Sequence, residues 1–88
     1  MEIQEAAERE MKRMRQVFGS LKIISKEKNA KEFLDFSSNY YKDGIYFLNE
    51  KKFTEAFEAF IISWAYIDIG LKLKLFSIPS EQKKHFTS

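Results

Sequence analysis

Residues 53–76, FTEAFEAFIISWAYIDIGLKLKLF, carry the longest apolar helical pattern in the chain, and any fold must accommodate it. Phe53, Phe57, Phe60, Trp64, Ile67, Leu71, Leu75 and Ile78 recur at helical spacing as one stripe, with Ile61 at its edge. Strict alternation fails at Ile61–Ile62 and at Ala65–Tyr66–Ile67, and a strand of this length would be unusual. The pattern predicts a helix over 53–77, with Pro79 at or just beyond its end.

A second stripe, Ile62, Tyr66, Ile69, Leu73 and Phe76, lies well away from the first at about 100° per residue. An ordinary surface helix has one apolar stripe and a polar back. Here the back of the C-terminal half is apolar too, so something must cover it. Either the other helices of the domain do so, or these five residues form an interface with a second copy or a protein partner. The densest apolar run, Ala59 to Leu71, is too short for a bilayer span of roughly 20 residues and contains Asp68. No membrane crossing is expected.

Two further helices complete the pattern. Over 2–24, Ile3, Ala7, Met14, Val17, Leu21 and Ile24 keep the spacing and Glu10 alone breaks it. Glu2, Glu5 and Glu8 suit the positive end of the helix dipole, and Gly19–Ser20 marks where the helix kinks or stops early. Asn29 reads as an N-cap, with Glu32 completing a capping box. The second helix follows over about 30–49. It is broadly apolar, with Gly44 in its interior where close approach of a neighbouring helix is expected. Asn49–Lys52 is a short turn, so the second and third helices should be antiparallel neighbours. The expected fold is all-α: an antiparallel three-helix bundle with helices over about 2–24, 30–49 and 53–77. Residues 1–79 form its single domain and 80–88 a polar, frayed tail.

Composition narrows the function. Fourteen aromatic residues, nine of them Phe, in an 88-residue chain enlarge a small core and hint at surplus apolar surface. The absence of cysteine excludes disulfides, thiolate metal sites and a cysteine nucleophile. The N-terminus is acidic and amphipathic, unlike a signal peptide, so a cytoplasmic protein is expected. A net charge of +2 lacks the basic bias of a dedicated nucleic-acid binder.

Residues 40–70 carry a more specific signal. Tyr40-Tyr41-Lys42-Asp43-Gly44, Phe47-Leu48, Ala56-Phe57-Glu58-Ala59 and Ile67-Asp68-Ile69-Gly70 together resemble the archaeal domain-of-unknown-function 357 family. The resemblance implies a small antiparallel three-helix bundle, archaeal and cytoplasmic, with no assigned activity. It covers about a third of the chain and leaves the first helix nearly unconstrained. Gly44 stands where that family usually has Ala, and Trp64 where His is expected, so chemistry through that His is not open to this chain. Residues 41–56 also resemble the helix–turn–helix junction of one tetratricopeptide hairpin, but no second copy follows at a 34-residue period.

Candidate chemistry is sparse. His85 is the only histidine and lies in the tail, so no rigid catalytic triad can be built on it. There is no Glu-x-x-His di-iron motif and no glycine-rich phosphate loop. Asp43 and Asp68 are candidate buried carboxylates, each either a structural acceptor or half of a paired-carboxylate site. Arg9, Lys12, Arg13 and Arg15 form the one basic cluster, interleaved with Glu5, Glu8 and Glu10 as on a solvated, salt-bridged helix face. The expected protein is a non-enzymatic interaction module without cofactor or metal. It self-associates or docks a protein partner through Ile62, Tyr66, Ile69, Leu73 and Phe76. The alternative is a nucleic-acid-binding accessory protein using the basic face of the first helix.

Overall fold

The computed structural model describes residues 2–86. The chain is mostly helical, with α1 over Glu2–Ser20, α2 over Lys28–Asn49, α3 over Phe53–Lys72 and a short C-terminal 3-10 helix over Ser80–His85. Two-residue strands, β1 (Lys22–Ile23) and β2 (Phe76–Ser77), pair antiparallel with Lys22 opposite Ser77 and Ile23 opposite Phe76. The long helices pack through α3, which touches both α1 and α2, while α1 and α2 touch little.

Small residues set the α2–α3 contact. Ser37 and Ser63 are fully buried and bond reciprocally. The Ser37 Oγ donates to the Ser63 carbonyl at 2.8 Å, and the Ser63 Oγ to the Ser37 carbonyl at 2.8 Å. Each hydroxyl thus has its partner, which removes the penalty of burying it. Seven residues further along α2, the backbone of Gly44 lies against the Phe60 ring, and a Cβ there would fall 2.4 Å from a ring carbon. Moving from Ser37 to Gly44 on α2 therefore means moving back from Ser63 to Phe60 on α3. The close approach expected at Gly44 is what the ring of Phe60 makes. Around it Ala7, Ala56 and Phe60 close one end of the core; Met14, Val17, Ala30, Ile67, Leu75, Phe76 and Ile78 fill the other.

Three predicted boundaries differ, each for a physical reason. Helix α1 stops at Ser20, where Gly19–Ser20 weakens it. Leu21 is half-buried, and Ile24 leaves the apolar stripe to become exposed while its N–H donates to the Leu75 carbonyl at 2.9 Å. Helix α2 begins at Lys28 with Glu27 in the cap position, and the Asn29–Glu32 capping box is not formed. Helix α3 stops at Lys72, five residues short of 77.

That last end is a Schellman closure. Lys74 takes φ 60°, its N–H donates to the Leu71 carbonyl at 3.1 Å, and the Leu75 N–H donates to the Gly70 carbonyl at 2.8 Å. Helix α2 closes identically at Lys51 (φ 60°), through Lys51 to Leu48 at 3.1 Å and Lys52 to Phe47 at 2.8 Å. The reversal after Lys74 folds Phe76 back over Gly70, where a Cβ would meet its ring at 2.3 Å. Leu75, Phe76 and Ile78 are consequently buried as an extended segment rather than as another helical turn.

The segment after Pro79 is also docked rather than frayed. Ser20 Oγ donates to Gln82 Oε1 at 2.7 Å, and Trp64 Nε1 donates to the His85 carbonyl at 2.7 Å. Trp64 stacks on Phe86 with centroids 5.6 Å apart and planes 6° from parallel. The last two residues of the predicted tail, Thr87 and Ser88, lie outside the described residues.

Candidate functional site

The outer face of α2 and α3 carries the predicted second stripe, with one member replaced. Ile62, Ile69 and Leu73 are 40%, 47% and 55% exposed. Tyr66 is half-buried because α2 brings three rings to it. Phe36 and Tyr40 stack on it at 5.5 and 6.0 Å, and Phe33 meets it edge-on at 5.9 Å. Phe76 does not belong to this face, since as the first residue of β2 it is buried against Gly70 with 2% of its surface exposed. Phe36, 48% exposed, takes its place. The stacked rings hold the centre of the patch rigid, and aliphatic side chains project around it. Phe36, Ile62, Ile69 and Leu73 each leave about half of their surface in water around this cluster.

This face is acidic at one end. At its α2–α3 turn end Asp43, Glu55 and Glu58 line one shallow groove with Tyr40, Phe47, Ala59 and Ile62. Past its other end, Lys72 in the last turn of α3 pairs with Asp68 on the side facing the C-terminal segment, and Lys74 follows at the reversal.

Of the two carboxylates predicted as buried, Asp68 is largely covered and Asp43 is not. Asp43 is exposed, because its turn of α2 faces outward although Tyr40 and Phe47 are helical neighbours. The Asp68 side chain is 14% exposed and accepts a hydrogen bond from Lys72 Nζ at 2.9 Å, so it is paired locally rather than with Asp43. The buried carboxylate is Glu10, 5% exposed, which contacts Arg13 at 3.0 Å. Its break in the α1 stripe was the available signal: it occupies a core position with a cation one turn on. Among the described residues no group of three or more His, Cys, Asp or Glu could hold a metal ion. No helix among them is long and apolar enough to cross a membrane.

The basic cluster of α1 does not form one open face. Arg13 is half-buried on Glu10, and Arg15 donates to the Met11 sulfur at 3.6 Å. Arg13 also faces the C-terminal segment. Burial first, then the charges of Arg13 and Lys84, hold the His85 pKa below its ordinary value of 6.5. Its Nε2 is covered without a hydrogen-bond partner. Beside it a groove of about 380 Å³ runs between the end of α3 and the C-terminal segment, with Leu71, Phe76, Ile78 and Phe86 as apolar walls and Asp68, Lys72 and Lys83 around them.

This arrangement of helices has relatives. The model of a family of proteins of unknown function, DUF357, matches residues 4–76. The chain belongs to the archaeal DUF357 family. The crystal structure of a DUF357 protein from Archaeoglobus fulgidus is similar over 89% of this chain and 95% of that one, with a TM-score of 0.76 and 20% identity, a likeness of fold. No curated protein matches the chain. The DUF357 match runs through both long apolar helices and ends at Phe76, before the docked 3-10 helix.

Proposed function

We propose that this DUF357 protein is a non-enzymatic interaction module, built as an antiparallel three-helix bundle whose working surface is the outer face of α2 and α3. The observation that carries the reading is the exposure of Phe36, Ile62, Ile69 and Leu73 around the ordered Tyr66 cluster. Stable apolar surface of this extent, displayed on two helices rather than on a loop, is the form of a protein-docking site. Helix α1 offers less to a nucleic acid, because Arg13 is committed to Glu10 and acidic residues alternate with the remaining cations.

The test uses Ile69→Glu/Leu73→Glu, and leaves Tyr66 alone because its ring is packed on three others. Both proteins should show the same helical circular dichroism. Sedimentation and partner-binding assays should then separate them, with association present in the wild type and lost in the variant. Equal behaviour of two folded monomers, with equal partner binding, would exclude this surface.

A further inference from the structure

We infer that the groove between the end of α3 and the C-terminal segment is a binding site for a small amphipathic monoanion, a carboxylate carried on an apolar body. It lies on a different sector of α3 from the outer face and does not depend on the docking reading above. Its walls come from three segments. Leu71 belongs to the last turns of α3, Phe76 and Ile78 to the extended chain after the Lys74 reversal, and Phe86 follows the 3-10 helix. The fold itself sets their positions. Phe76 packs on Gly70, Ile78 belongs to the core, and Phe86 stacks on Trp64 with planes 6° apart. A groove with preformed walls asks little ordering of the protein when a ligand enters. Its volume of about 380 Å³, with apolar walls and a few polar groups around them, is that of a small-molecule site.

Charge selects the ligand. The ionisable side chains that line the groove are Asp68, Lys72 and Lys83. Asp68 accepts from Lys72 Nζ at 2.9 Å, and the charges of this pair cancel. Lys83 is exposed and, among the described residues, meets no carboxylate. One positive charge is thus left beside four apolar walls, and a single carboxylate matches it. A phosphate monoester, with a charge of about −1.5 to −2, would bring more than one lysine offsets and would face Asp68. A neutral amphiphile would forgo the charge-assisted hydrogen bond, and a cationic one would be repelled by Lys83.

Ile78, Lys83 and Phe86 all lie beyond Phe76, where the DUF357 match ends. One side of the groove is therefore added to the part of the bundle that the family model matches. The docking of the C-terminal segment on Ser20 and Trp64 holds that side in place.

The probe is decanoate, kept below micelle formation and titrated into the full chain by calorimetry and by Trp64 fluorescence. It should bind with a Kd on the order of 0.1 mM. The emission of Trp64, the only tryptophan, should change in step, because its ring stacks on the Phe86 wall. Lys83→Gln should weaken decanoate roughly three- to tenfold, and Lys83→Arg should restore it. Lys74→Gln removes the same charge outside the groove and should change nothing. Decanol should bind the wild type as weakly as decanoate binds Lys83→Gln, with no further loss in that variant. Both lysines are exposed, so native circular dichroism is expected throughout.

A wild type that gives neither heat nor an emission change at ~1 mM decanoate overturns the site. Equal affinity of the wild type and Lys83→Gln for decanoate, or tighter binding of decyl phosphate than of decanoate, overturns the pairing of one carboxylate with Lys83. Binding lost in Ile69→Glu/Leu73→Glu but kept in Phe86→Ala puts the ligand on the outer face and overturns the groove. None of these outcomes bears on the docking reading, which protein association decides.

Discussion

Helix α3 has two apolar faces, and they differ in what the rest of the chain does with them. The inner face presents Ala56, Ala59, Phe60, Ser63, Ile67 and Gly70, all buried against α1, α2 or β2. The outer face presents Ile62, Ile69 and Leu73, all substantially exposed. Hydropathy does not separate them, because isoleucines lie on both. Size and neighbours do: the inner face alternates small residues with single large ones, so that helices can approach closely. The outer face offers large side chains around a ring cluster, a surface that nothing in the chain itself interlocks with. One face holds the fold together, and the other stands in solvent.

The largest effect that distinguishes them is a cavity. Phe60→Ala removes a fully buried ring from between Gly44 and Tyr41 and should cost about 3–5 kcal/mol in urea unfolding. Ile69→Ala on the same helix and Leu73→Ala at its C-cap should each stay within about 0.5 kcal/mol of wild type. Comparable losses on both faces would erase the distinction.

A smaller effect tests whether the inner face is shaped or merely apolar. Gly44→Ala gains about 1 kcal/mol of helix propensity. Its Cβ, however, would lie 2.4 Å from the Phe60 ring, and overpacking of this kind costs about 1–3 kcal/mol. The expected outcome is a net loss of order 1 kcal/mol. In a Phe60→Leu background the same substitution should become neutral or stabilising, because the ring that blocks it is gone. A loss of equal size in both backgrounds would locate the strain elsewhere.

Much of this was legible before the structure. The helix-period stripes placed α1, α2 and α3, and Gly44 pointed to a close approach that Phe60 makes. Ile62, Ile69 and Leu73 were picked out by spacing alone as a second stripe, with its covering by other helices left open. What stayed hidden depends on contacts between distant segments. Phe76 fits the helical phase of the outer stripe, but phase means nothing once the helix has ended. Asp43 neighbours Tyr40 and Phe47 along α2, yet which side of that turn meets α3 is decided by Gly44 and Ser37. Ser37 and Ser63 look like polar surface residues until each supplies the other's hydrogen bond. The docked segment after Pro79 is polar in composition and is held by contacts to Trp64 and Ser20 that no periodicity encodes.

The end of α3 was missed because Lys74, and not glycine, occupies the left-handed position. That conformation costs an L-residue about 1–2 kcal/mol, part of which glycine returns through greater freedom of the unfolded chain. Lys74→Gly should therefore raise stability by about 0.5–1 kcal/mol, read as a higher urea midpoint at unchanged slope. Lys51→Gly should do the same at the end of α2. If Lys74→Gly destabilises instead, the reversal that buries Phe76 and separates the two faces of α3 is not a Schellman closure.

The smallest effect concerns a third sector of α3, the Trp64 side, which the chain covers for itself with its C-terminal segment. The His85 pKa is held below its ordinary value there by burial and by the charges of Arg13 and Lys84, with Glu10 paired to Arg13 behind them. Its proton affinity is lower folded than unfolded, so the unfolded chain binds the proton first as pH falls. The contribution of the docked ring is complete above about 6.5 and declines as pH drops through the depressed folded value. Trp64 is the only tryptophan, and it both stacks on Phe86 and bonds the His85 carbonyl, so its fluorescence reports this sector alone. On acidification from pH 7 to 5 the emission should shift to the red while the helical circular dichroism holds. His85→Gln should flatten that response. An emission change that persists unaltered in His85→Gln would mean that Trp64 is uncovered by some other group, and that the self-covered sector of α3 is not governed by this histidine.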